Sequence, residues 1–514
     1  AARANGMKEP LDDRNEGEVS GPDRLRRLVA ETSPEAPLVL VANREPYLHE
    51  KREDAIVVRR PASGLVTGVE PLLKACGGVW IAHGSGSADR LVTGADGRIR
   101  VPPENPEYTL RRMWLSQAEQ EGYYFGFANE ALWPLCHIAH TRPAFRRDDF
   151  EHYERVNRRF AVAAAEEAGQ DGIVLVQDYH YALLPRQLRE IAPRTAISLF
   201  WHIPWPNEEI FGICPWKEAL LEGMLGADVV GFQTRYHCLN FLETVQRTLE
   251  CKVDFETMSV DYQQHRTSVR PYPISIALPV ETATREEGRG LKSSLGIPAD
   301  AHVALGIDRA DYTKGLPERI DAIEVLLNEY PELRGRFVYV QLASPSRTHI
   351  KAYREHNSRL EEAVTRVNRR FGSDDWVPIQ FLLKNVPLRV VRQYYAMADS
   401  AIVTPLHDGM NLVAKEYVAS CVDGHGALVL SRFTGAAREL EGALLVNPYD
   451  AYEVATAIHH ALVMEEPERE ERMQSMRNAL ASHTIYDWAA ELLTDMADVW
   501  KRRRLQWADE PIRS

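Results

Sequence analysis

The stretch AIVTPLHDGMNLVAKEY, residues 401–417, contains an apolar run, a turn and the beginning of a helix. Its first four residues, 401–404, form a short continuous apolar run, which is typical of a strand buried on both faces of a parallel sheet. Pro405 ends this run, Gly409 allows a tight turn, and the sequence from Asn411 onward indicates a helix. A strand followed by a turn and a helix is the repeating unit of an α/β protein.

The same alternation of short apolar runs and longer amphipathic stretches continues along most of the chain. The apolar runs are residues 38–42, 79–82, 173–176, 196–201 and 228–232, followed by 303–307, 337–342, 379–383, 401–404, 427–430 and 444–446. Two such series predict an α/β fold with two Rossmann-like domains. The stretch 278–296 is polar and without pattern, and we expect the boundary between the domains there.

These patterns predict four segments. Residues 1–34 are polar and charged, and we interpret them as a mobile N-terminal tail with a short helix near residues 25–29. The first domain is expected over residues 35–280 and the second over 281–484. Residues 485–514 are expected to form a helical tail.

Composition restricts the kinds of partner. The chain has 514 residues and a formal net charge of −13, which argues against nucleic acid or an anionic membrane as the main partner. The sequence shows no apolar run near the roughly 18 residues that span a membrane. The six cysteines are scattered without a C-x-x-C pair, so neither a zinc site nor a disulfide framework is expected. These features favour a cytoplasmic protein with reduced cysteines.

In doubly wound sheets, ligands bind at the carboxyl ends of the strands, so the site is expected in the cleft between the two domains. The helix start after residue 404 would present unpaired amides, which form an anion site. These are the amides of Met410, Asn411, Leu412 and Val413. Asp408 would repel a phosphate and is better suited to sugar hydroxyls, while Glu416 suits ribose hydroxyls. An ordinary helix cap with a solvated glutamate remains the alternative.

The stretch GIDRADYTKGLPER, residues 306–319, follows another predicted strand. Arg309 and Lys314 lie on the loop before a helix whose first turn contains Pro317. Two cations at a strand end suit a diphosphate, because Arg binds bidentately and Lys acts as a point charge. A solvated charged loop remains the alternative.

Further polar and aromatic residues follow other predicted strands or lie between them. Arg44 follows the first strand, and Gly64 would allow close approach of the backbone to a ligand. Each residue of this kind is, when taken alone, more often a packing or turn residue than a ligand contact. The others are Asp178, His202 and Arg347 at strand ends, and Tyr124 and Trp133 with flat faces suited to sugars.

In combination, three of these stretches resemble a known family. FWHIPWP (200–206), DRADYTKGLPER (308–319) and TPLHDGMNLVAKEYVA (404–419) resemble the trehalose-6-phosphate synthase family of retaining glycosyltransferases, over residues 37–500. The resemblance implies a GT-B fold, in which two Rossmann-like domains face each other across a deep cleft. It also implies a C-terminal tail that crosses back to the first domain, and an enzyme that uses neither metal nor cofactor.

The resemblance also implies roles for individual residues. The acceptor, glucose 6-phosphate, would be held by Arg44, Tyr124, Trp133, Asp178 and Arg347. The nucleotide-sugar donor would be held by Gly64, His202, Arg309, Lys314, Asp408, the backbone of 409–413, and Glu416. In the front-face reaction that it implies, a leaving phosphate oxygen helps to deprotonate the acceptor hydroxyl. Arg309 and Lys314 would stabilise the charge on the diphosphate, and His202 and Asp408 would contact the donor sugar.

Some departures from the family pattern leave questions open. Ser63, Gln177 and His407 replace more usual residues, and Val386 leaves UDP, GDP and ADP open as donor bases, with UDP expected. Glucosylglycerol-phosphate synthase, a cyclitol-joining pseudo-glycosyltransferase and a catalytically silent sugar-phosphate sensor are the alternatives. The acceptor-side aromatics favour a hexose acceptor, and the retained donor-side charges argue against the sensor. A homo-oligomer is left open.

Overall fold

The computed structural model describes residues 21–33, 35–53, 55–61 and 64–508. The strands, in chain order, are β1 (Leu38–Val41), β2 (Leu48–Arg52), β3 (Ala55–Arg59), β4 (Val79–His83), β5 (Arg98–Val101), β6 (Tyr108–Met113), β7 (Ile173–Gln177), β8 (Ala196–Trp201), β9 (Val229–Phe232), β10 (Lys252–Asp254), β11 (Ser259–Tyr262), β12 (His265–Pro271), β13 (His302–Arg309), β14 (Phe337–Ser344), β15 (Ile379–Leu383), β16 (Ser400–Val403), β17 (Ala427–Ser431) and β18 (Leu444–Val446).

The helices connect these strands and cover the sheets. They are α1 (Gly21–Thr32), α2 (Gly64–Cys76), α3 (Asp89–Val92), α4 (Gln117–Glu119), α5 (Trp133–Cys136), α6 (Arg147–Ala168), α7 (Leu184–Ile191), α8 (Glu208–Phe211), α9 (Lys217–Met224), α10 (Arg235–Thr248), α11 (Arg285–Ser294), α12 (Leu316–Glu329), α13 (Lys351–Phe371), α14 (Leu388–Met397), α15 (Leu412–Ser420), α16 (Ala451–Val463), α17 (Glu466–Ser482) and α18 (Ile485–Ala508). A π-helix covers Gln120–Leu132, and 3₁₀ turns cover Tyr179–Tyr181, Tyr312–Lys314, Pro331–Leu333 and Gly435–Arg438.

Two sheets form the centres of two α/β layers. The first has the order β10-β11-β12-β9-β8-β7-β1-β4-β6-β5, parallel from β12 to β6 and antiparallel at its edges. The second has the order β15-β14-β13-β16-β17-β18 and is parallel throughout. The predicted apolar runs coincide with β1, β4, β7, β8, β9 and all of the second sheet. The predicted α/β fold is therefore confirmed.

Strand β1 shows why a continuous apolar run indicates a parallel sheet. Leu38 and Leu40 pack into one hydrophobic cluster, and Val39 and Val41 pack into another on the opposite face. Successive side chains of a strand point to opposite faces, so both faces must be apolar where helices cover both. The edge strands and the hairpin β2–β3 were not predicted. Strand β3 contains the apolar run 55–58 but is exposed along its whole length, so it lacks the two-sided burial that such a run usually indicates.

Two predictions about irregular segments were wrong. Residues 21–32 were assigned to a mobile tail with a short helix near residues 25–29. They form α1, which includes that predicted helix but is packed on the protein, because its Leu25 is fully buried against the core. Residues 1–20 lie outside the described part of the chain. The stretch 278–296 was interpreted as unpatterned but contains α11, whose start is a capping box between Thr284 and Glu287.

The C-terminal helix α18 follows the second domain in the chain but lies on the first. The ring of Trp488 meets that of Phe200 edge-on at 5.3 Å, and Trp500 Nε1 donates to the carbonyl of Asp171 at 2.6 Å. Arg503 pairs with the buried Asp228 of the first domain. In the described part of the chain, no helix is both long enough and apolar enough to cross a membrane.

Candidate active site

The turn after β16 lies against the first domain. An ideal Cβ on Gly409 would lie 2.2 Å from the carbonyl oxygen of His202, which follows β8 of the first domain. On its other side, an ideal Cβ on Gly435 would lie 2.2 Å from the carbonyl oxygen of Gly409. Because side chains cannot occupy these spaces, both glycines are required by close packing of the backbone. Two predicted site residues from different domains, His202 and Gly409, are thus in contact.

Helix α15 begins immediately after this turn, as the sequence predicted. Asn411, at φ +84°, caps the helix by accepting a hydrogen bond from the amide of Ala414 at 3.1 Å. Its side-chain amide donates to Asp408 Oδ2 at 3.1 Å. Met410 is buried, while Leu412 and Val413 begin the helix at the side of Asp408. The helix N-terminus and an acidic side chain therefore share one small region.

Lys314 and Asp408 form an ion pair within the second domain. Lys314 Nζ lies 2.5 Å from Asp408 Oδ2. Burial raises the pKa of Asp408, but the ammonium of Lys314 outweighs burial, so the pKa of Asp408 lies below its usual value. Asp408 is therefore ionised and its charge is balanced by Lys314, which removes the repulsion that a nearby phosphate would otherwise meet.

Asp311, which the sequence analysis did not single out, contacts both Arg309, which was predicted to bind the donor, and Arg347, which was predicted to bind the acceptor. Its carboxylate lies 3.8 Å from Arg309 Nη2 and 3.3 Å from Arg347 Nη1. It also accepts hydrogen bonds from Tyr353 OH at 3.0 Å and from Trp133 Nε1 at 3.4 Å. Although burial raises the pKa of Asp311, the two guanidiniums hold it well below its usual range. The signal that could have identified it is its place two residues after Arg309 in the quoted motif.

Trp133 lies close to both of these guanidiniums. The guanidinium carbon of Arg347 lies 4.1 Å from the ring centroid of Trp133, and that of Arg309 lies 5.0 Å away. These distances fit cation–π interactions, which are strengthened by removal from water. One aromatic ring from the first domain therefore orders two arginines of the second domain.

Residues that the sequence analysis predicted to bind the acceptor lie around Tyr124. Arg44 Nη2 donates to Tyr124 OH at 3.3 Å, and the Tyr124 ring stacks on His180 at 5.7 Å. Arg347 also contacts this cluster of aromatic rings. Its Nη2 donates a hydrogen bond at 3.1 Å to the hydroxyl of Tyr179, whose ring is next to that of His180. Burial raises the pKa of Tyr124, but Arg44 and Arg347 outweigh burial and lower it to about 8. Such an excess of positive charge suits a doubly charged phosphate.

Asp178 and His202 meet at the ends of neighbouring strands. Asp178, at φ +76°, accepts hydrogen bonds from the amides of Tyr179 at 2.9 Å and His202 at 3.2 Å. Burial raises the pKa of Asp178 to about 7. Burial also lowers the pKa of His202 to about 3, so its ring is neutral at physiological pH. Its Nε2 lies 2.8 Å from Gln177 Oε1.

Two predicted residues lie at the margin of this group. Glu416 accepts a hydrogen bond from Tyr395 OH at 3.0 Å rather than contacting another predicted residue, and burial raises its pKa. Gly64 is the first residue of α2, and its neighbour Ser63 lies outside the described residues. Within the ranges that the structure describes, no group of three or more His, Cys, Asp or Glu side chains could hold a metal ion.

Two Rossmann-like domains that meet at arginines, aromatic rings and carboxylates have the architecture of a GT-B glycosyltransferase, the class of enzyme that transfers a hexose. Residues 36–498 match the family described as glycosyltransferase family 20. The chain belongs to this family, as the resemblance in its motifs predicted.

Relatives and solved structures of similar sequence support this assignment. The chain is 38% identical over 474 residues to a trehalose-6-phosphate synthase of Mycobacterium marinum, covering 90% of this chain and 93% of that protein. A structure from E. coli described as bound with UDP-2-fluoro glucose has a TM-score of 0.79 and 33% identity, covering 90% of this chain and 99% of that chain. One from Burkholderia xenovorans, described as a UDP-forming alpha,alpha-trehalose-phosphate synthase in complex with glucose-6-phosphate, has a TM-score of 0.78 and 31% identity, covering 89% and 99%.

Proposed function

We propose that the protein transfers glucose from UDP-glucose to glucose 6-phosphate, with retention of anomeric configuration, giving trehalose 6-phosphate. The observation that carries this proposal is the junction at Asp311 and Trp133. There Arg309, expected on the donor side, and Arg347, expected on the acceptor side, contact one carboxylate and one ring. Two phosphorylated substrates bound to these arginines would lie next to each other. The ligands named in the titles of the E. coli and B. xenovorans structures agree with this pair of substrates.

For the acceptor, we assign the phosphate to Arg44 and Arg347, which converge on the tyrosine cluster around Tyr124. Trp133 would shape this pocket. Asp178 would accept a hydrogen bond from an acceptor hydroxyl when it is ionised. A hexose phosphate offers both the phosphate and the hydroxyls that these groups require.

For the donor, we assign the diphosphate to Arg309, Lys314 and the backbone near Gly64. The donor sugar would contact His202, Asp408 and the amides of residues 409–413. Glu416 would accept hydrogen bonds from the ribose. Asp408 is already neutralised by Lys314, so it can face the sugar without repelling the diphosphate.

The reaction follows from these positions. The bond between C1 of the donor glucose and the diphosphate oxygen breaks, and a bond forms from C1 to the acceptor hydroxyl oxygen on the same face. The hydroxyl proton passes to the leaving diphosphate oxygen. Arg309 and Lys314 stabilise the negative charge that develops on the diphosphate, and because they are held in place beforehand, little reorganisation is needed.

Product analysis tests the proposal directly. The protein is incubated with UDP-, GDP- or ADP-glucose, each with glucose 6-phosphate or glycerol 3-phosphate, and the product is identified by mass and by the anomeric signals in NMR. The expected product is a glucose disaccharide phosphate whose single glycosidic bond joins two α anomeric carbons, formed fastest from UDP-glucose. A glucosylglycerol phosphate would instead support the alternative acceptor. No transfer from any pair would contradict the proposal and support a sugar-phosphate sensor.

A further inference from the structure

A buried lysine of α15 is hydrogen-bonded to the backbone of the segment that connects the two domains. Lys415, whose side chain is completely buried, donates to the carbonyl of Ile274 at 2.8 Å and pairs with Glu439 at 2.9 Å. Ile274 lies between β12 and α11, in the stretch that leads from the first domain to the second. Because a buried charge is costly unless it is fully paired, this lysine has a defined position. It adjoins Glu416, to which we assigned the ribose.

Gln233 continues this connection into the first domain. It follows β9, is 2% exposed, and accepts a hydrogen bond from the amide of Ile274 at 3.0 Å through Oε1. Its Nε2 donates to the carbonyl of His202 at 3.4 Å. Both partners are backbone groups, one a donor and one an acceptor, so the orientation of the Gln233 amide is determined by the chain itself.

His202 extends this series of hydrogen bonds from Gln233 to Asp178. Its amide donates to Asp178 at 3.2 Å, and its carbonyl faces Gly409 of the donor turn so closely that a Cβ there would be 2.2 Å away. The backbone of His202 therefore contacts an acceptor-side carboxylate on one side and the donor turn on the other. Gln233 is bonded to the carbonyl that faces the donor turn.

We propose that Gln233 and Lys415 are positioning residues, which set the distance between the donor turn and Asp178 through the chain of hydrogen bonds Lys415–Ile274–Gln233–His202–Asp178. Neither side chain touches a substrate in the function proposed above, on which this inference rests. This chain of hydrogen bonds, which we call the relay, runs from α15 of the second domain to the ends of β7 and β8 in the first. Its effect is on the relative placement of two bound substrates, which controls the rate of transfer more than the affinity for either substrate.

The variants Gln233→Met and Lys415→Met test the relay. Loss of the Gln233 amide frees the carbonyl of His202, and a misplacement near 1 Å lowers turnover by about 100-fold, so we expect kcat to fall about 10- to 100-fold. The KM for each substrate should change much less, because each pocket remains intact. The two losses should be strongly non-additive, since both residues act through Ile274.

A matched control lies in the same connecting segment. Tyr272, two residues before Ile274, donates its hydroxyl to Asp495 of α18 and has no part in the relay. Tyr272→Phe therefore removes one part-buried hydrogen bond between segments without touching His202. Its kcat should stay close to that of the wild type, and its effect should add to that of Gln233→Met. Circular dichroism and gel filtration establish that each variant is folded.

A binding measurement tests the same idea without the reaction. Calorimetry gives the affinity for UDP with and without glucose 6-phosphate, and the relay predicts that the two ligands influence each other in the wild type and much less in Gln233→Met. A folded Gln233→Met with unchanged kcat, or with unchanged coupling between the ligands, would overturn the inference. A wild type that couples the ligands but transfers no glucose would contradict the proposed function alone.

Discussion

At the scale of single residues, Arg309 is the one of the two cations proposed to bind the donor diphosphate that can be removed with less damage to the fold. Its side chain is 33% exposed and lies 3.8 Å from Asp311, whereas Lys314 neutralises the buried Asp408. Arg309→Ala should lower kcat by about 100- to 1000-fold, because it removes a preorganised cation beside the leaving group. Steady-state kinetics with circular dichroism as a test of folding checks this prediction.

The control for this change is Arg366→Ala. Arg366 is half-exposed on α13 and pairs with Asp321 and Glu324, away from the cleft. Its removal should leave kcat unchanged. Near-normal turnover in a folded Arg309→Ala variant would be incompatible with the role assigned to Arg309.

The raised pKa of Asp178 predicts a pH dependence. With a pKa of about 7 in the folded protein and 3.8 for an ordinary carboxyl, Asp178 adds stability below pH 3.8 that is lost as the pH rises toward 7. Activity should instead rise with pH over this range. The ionised carboxylate is a strong acceptor for an acceptor-sugar hydroxyl, whereas the protonated carboxyl group is a weaker one. We expect kcat/KM for glucose 6-phosphate to fall about tenfold per pH unit below the pKa.

Asp178→Asn separates the titration of Asp178 from that of the substrate phosphate. The phosphate titrates in assays of both the wild type and the variant, whereas Asp178 titrates only in the wild type. The pH profile of the variant should be low and flatter than that of the wild type. Equal slopes in the two profiles would assign the titration to another group.

At the scale of elements, the π-helix Gln120–Leu132 positions Tyr124 and precedes Trp133. π-Helical turns are rare and are frequently found at functional sites. This helix packs against α6 through glycines: an ideal Cβ on Gly126 would lie 2.4 Å from Asp149 Cγ. The absence of a side chain there allows the two helices to approach closely, and the position of Tyr124 depends on this approach.

Gly126→Ala should therefore displace the side chain of Asp149 and disturb the packing of the π-helix on α6, with a cost of about 1–3 kcal/mol for overpacking. The expected result is a lower unfolding midpoint together with a raised KM for glucose 6-phosphate. Gly290→Ala is the matched control, because Gly290 lies in α11 with open space around it and should stabilise the protein by about 0.5–1 kcal/mol. If Gly126→Ala behaves like Gly290→Ala, the packing argument is wrong.

At the scale of the whole molecule, the contact between Gly409 and His202 sets how closely the two domains approach. An ideal Cβ at Gly409 would lie 2.2 Å from the carbonyl oxygen of His202. Because that oxygen belongs to the backbone, it cannot rotate away as a side chain could. Gly409→Ala should therefore force the donor turn away from the first domain and lower kcat by about 100-fold. Kinetics and small-angle scattering measure these effects. Wild-type kinetics in the variant would mean that catalysis does not depend on the close contact between Gly409 and His202.

The sequence predicted those parts of the fold whose causes are local. The apolar runs that became β1 and the strands of the second sheet were visible because both faces of those strands are buried. The exposed hairpin strand β3 was missed, since it has no buried face. Only a short helix near residues 25–29 was predicted for α1, since the burial of its Leu25 depends on distant residues. Likewise, Arg309 and Lys314 were predicted from a motif, whereas the role of Asp311 became visible only when Arg347 and Trp133 were placed beside it.

By itself, the sequence determined the two α/β series, the family and the chemical types of side chain at the strand ends, because periodicity and motif order are properties of the chain. The tertiary structure alone decided which charges meet. Lys314 neutralises Asp408, and Gln233 connects Ile274 to His202, across separations in sequence that no local pattern reports. Hydrogen bonds and ion pairs act over a few ångströms, so residues far apart in the chain can interact only after the domains have folded and come together.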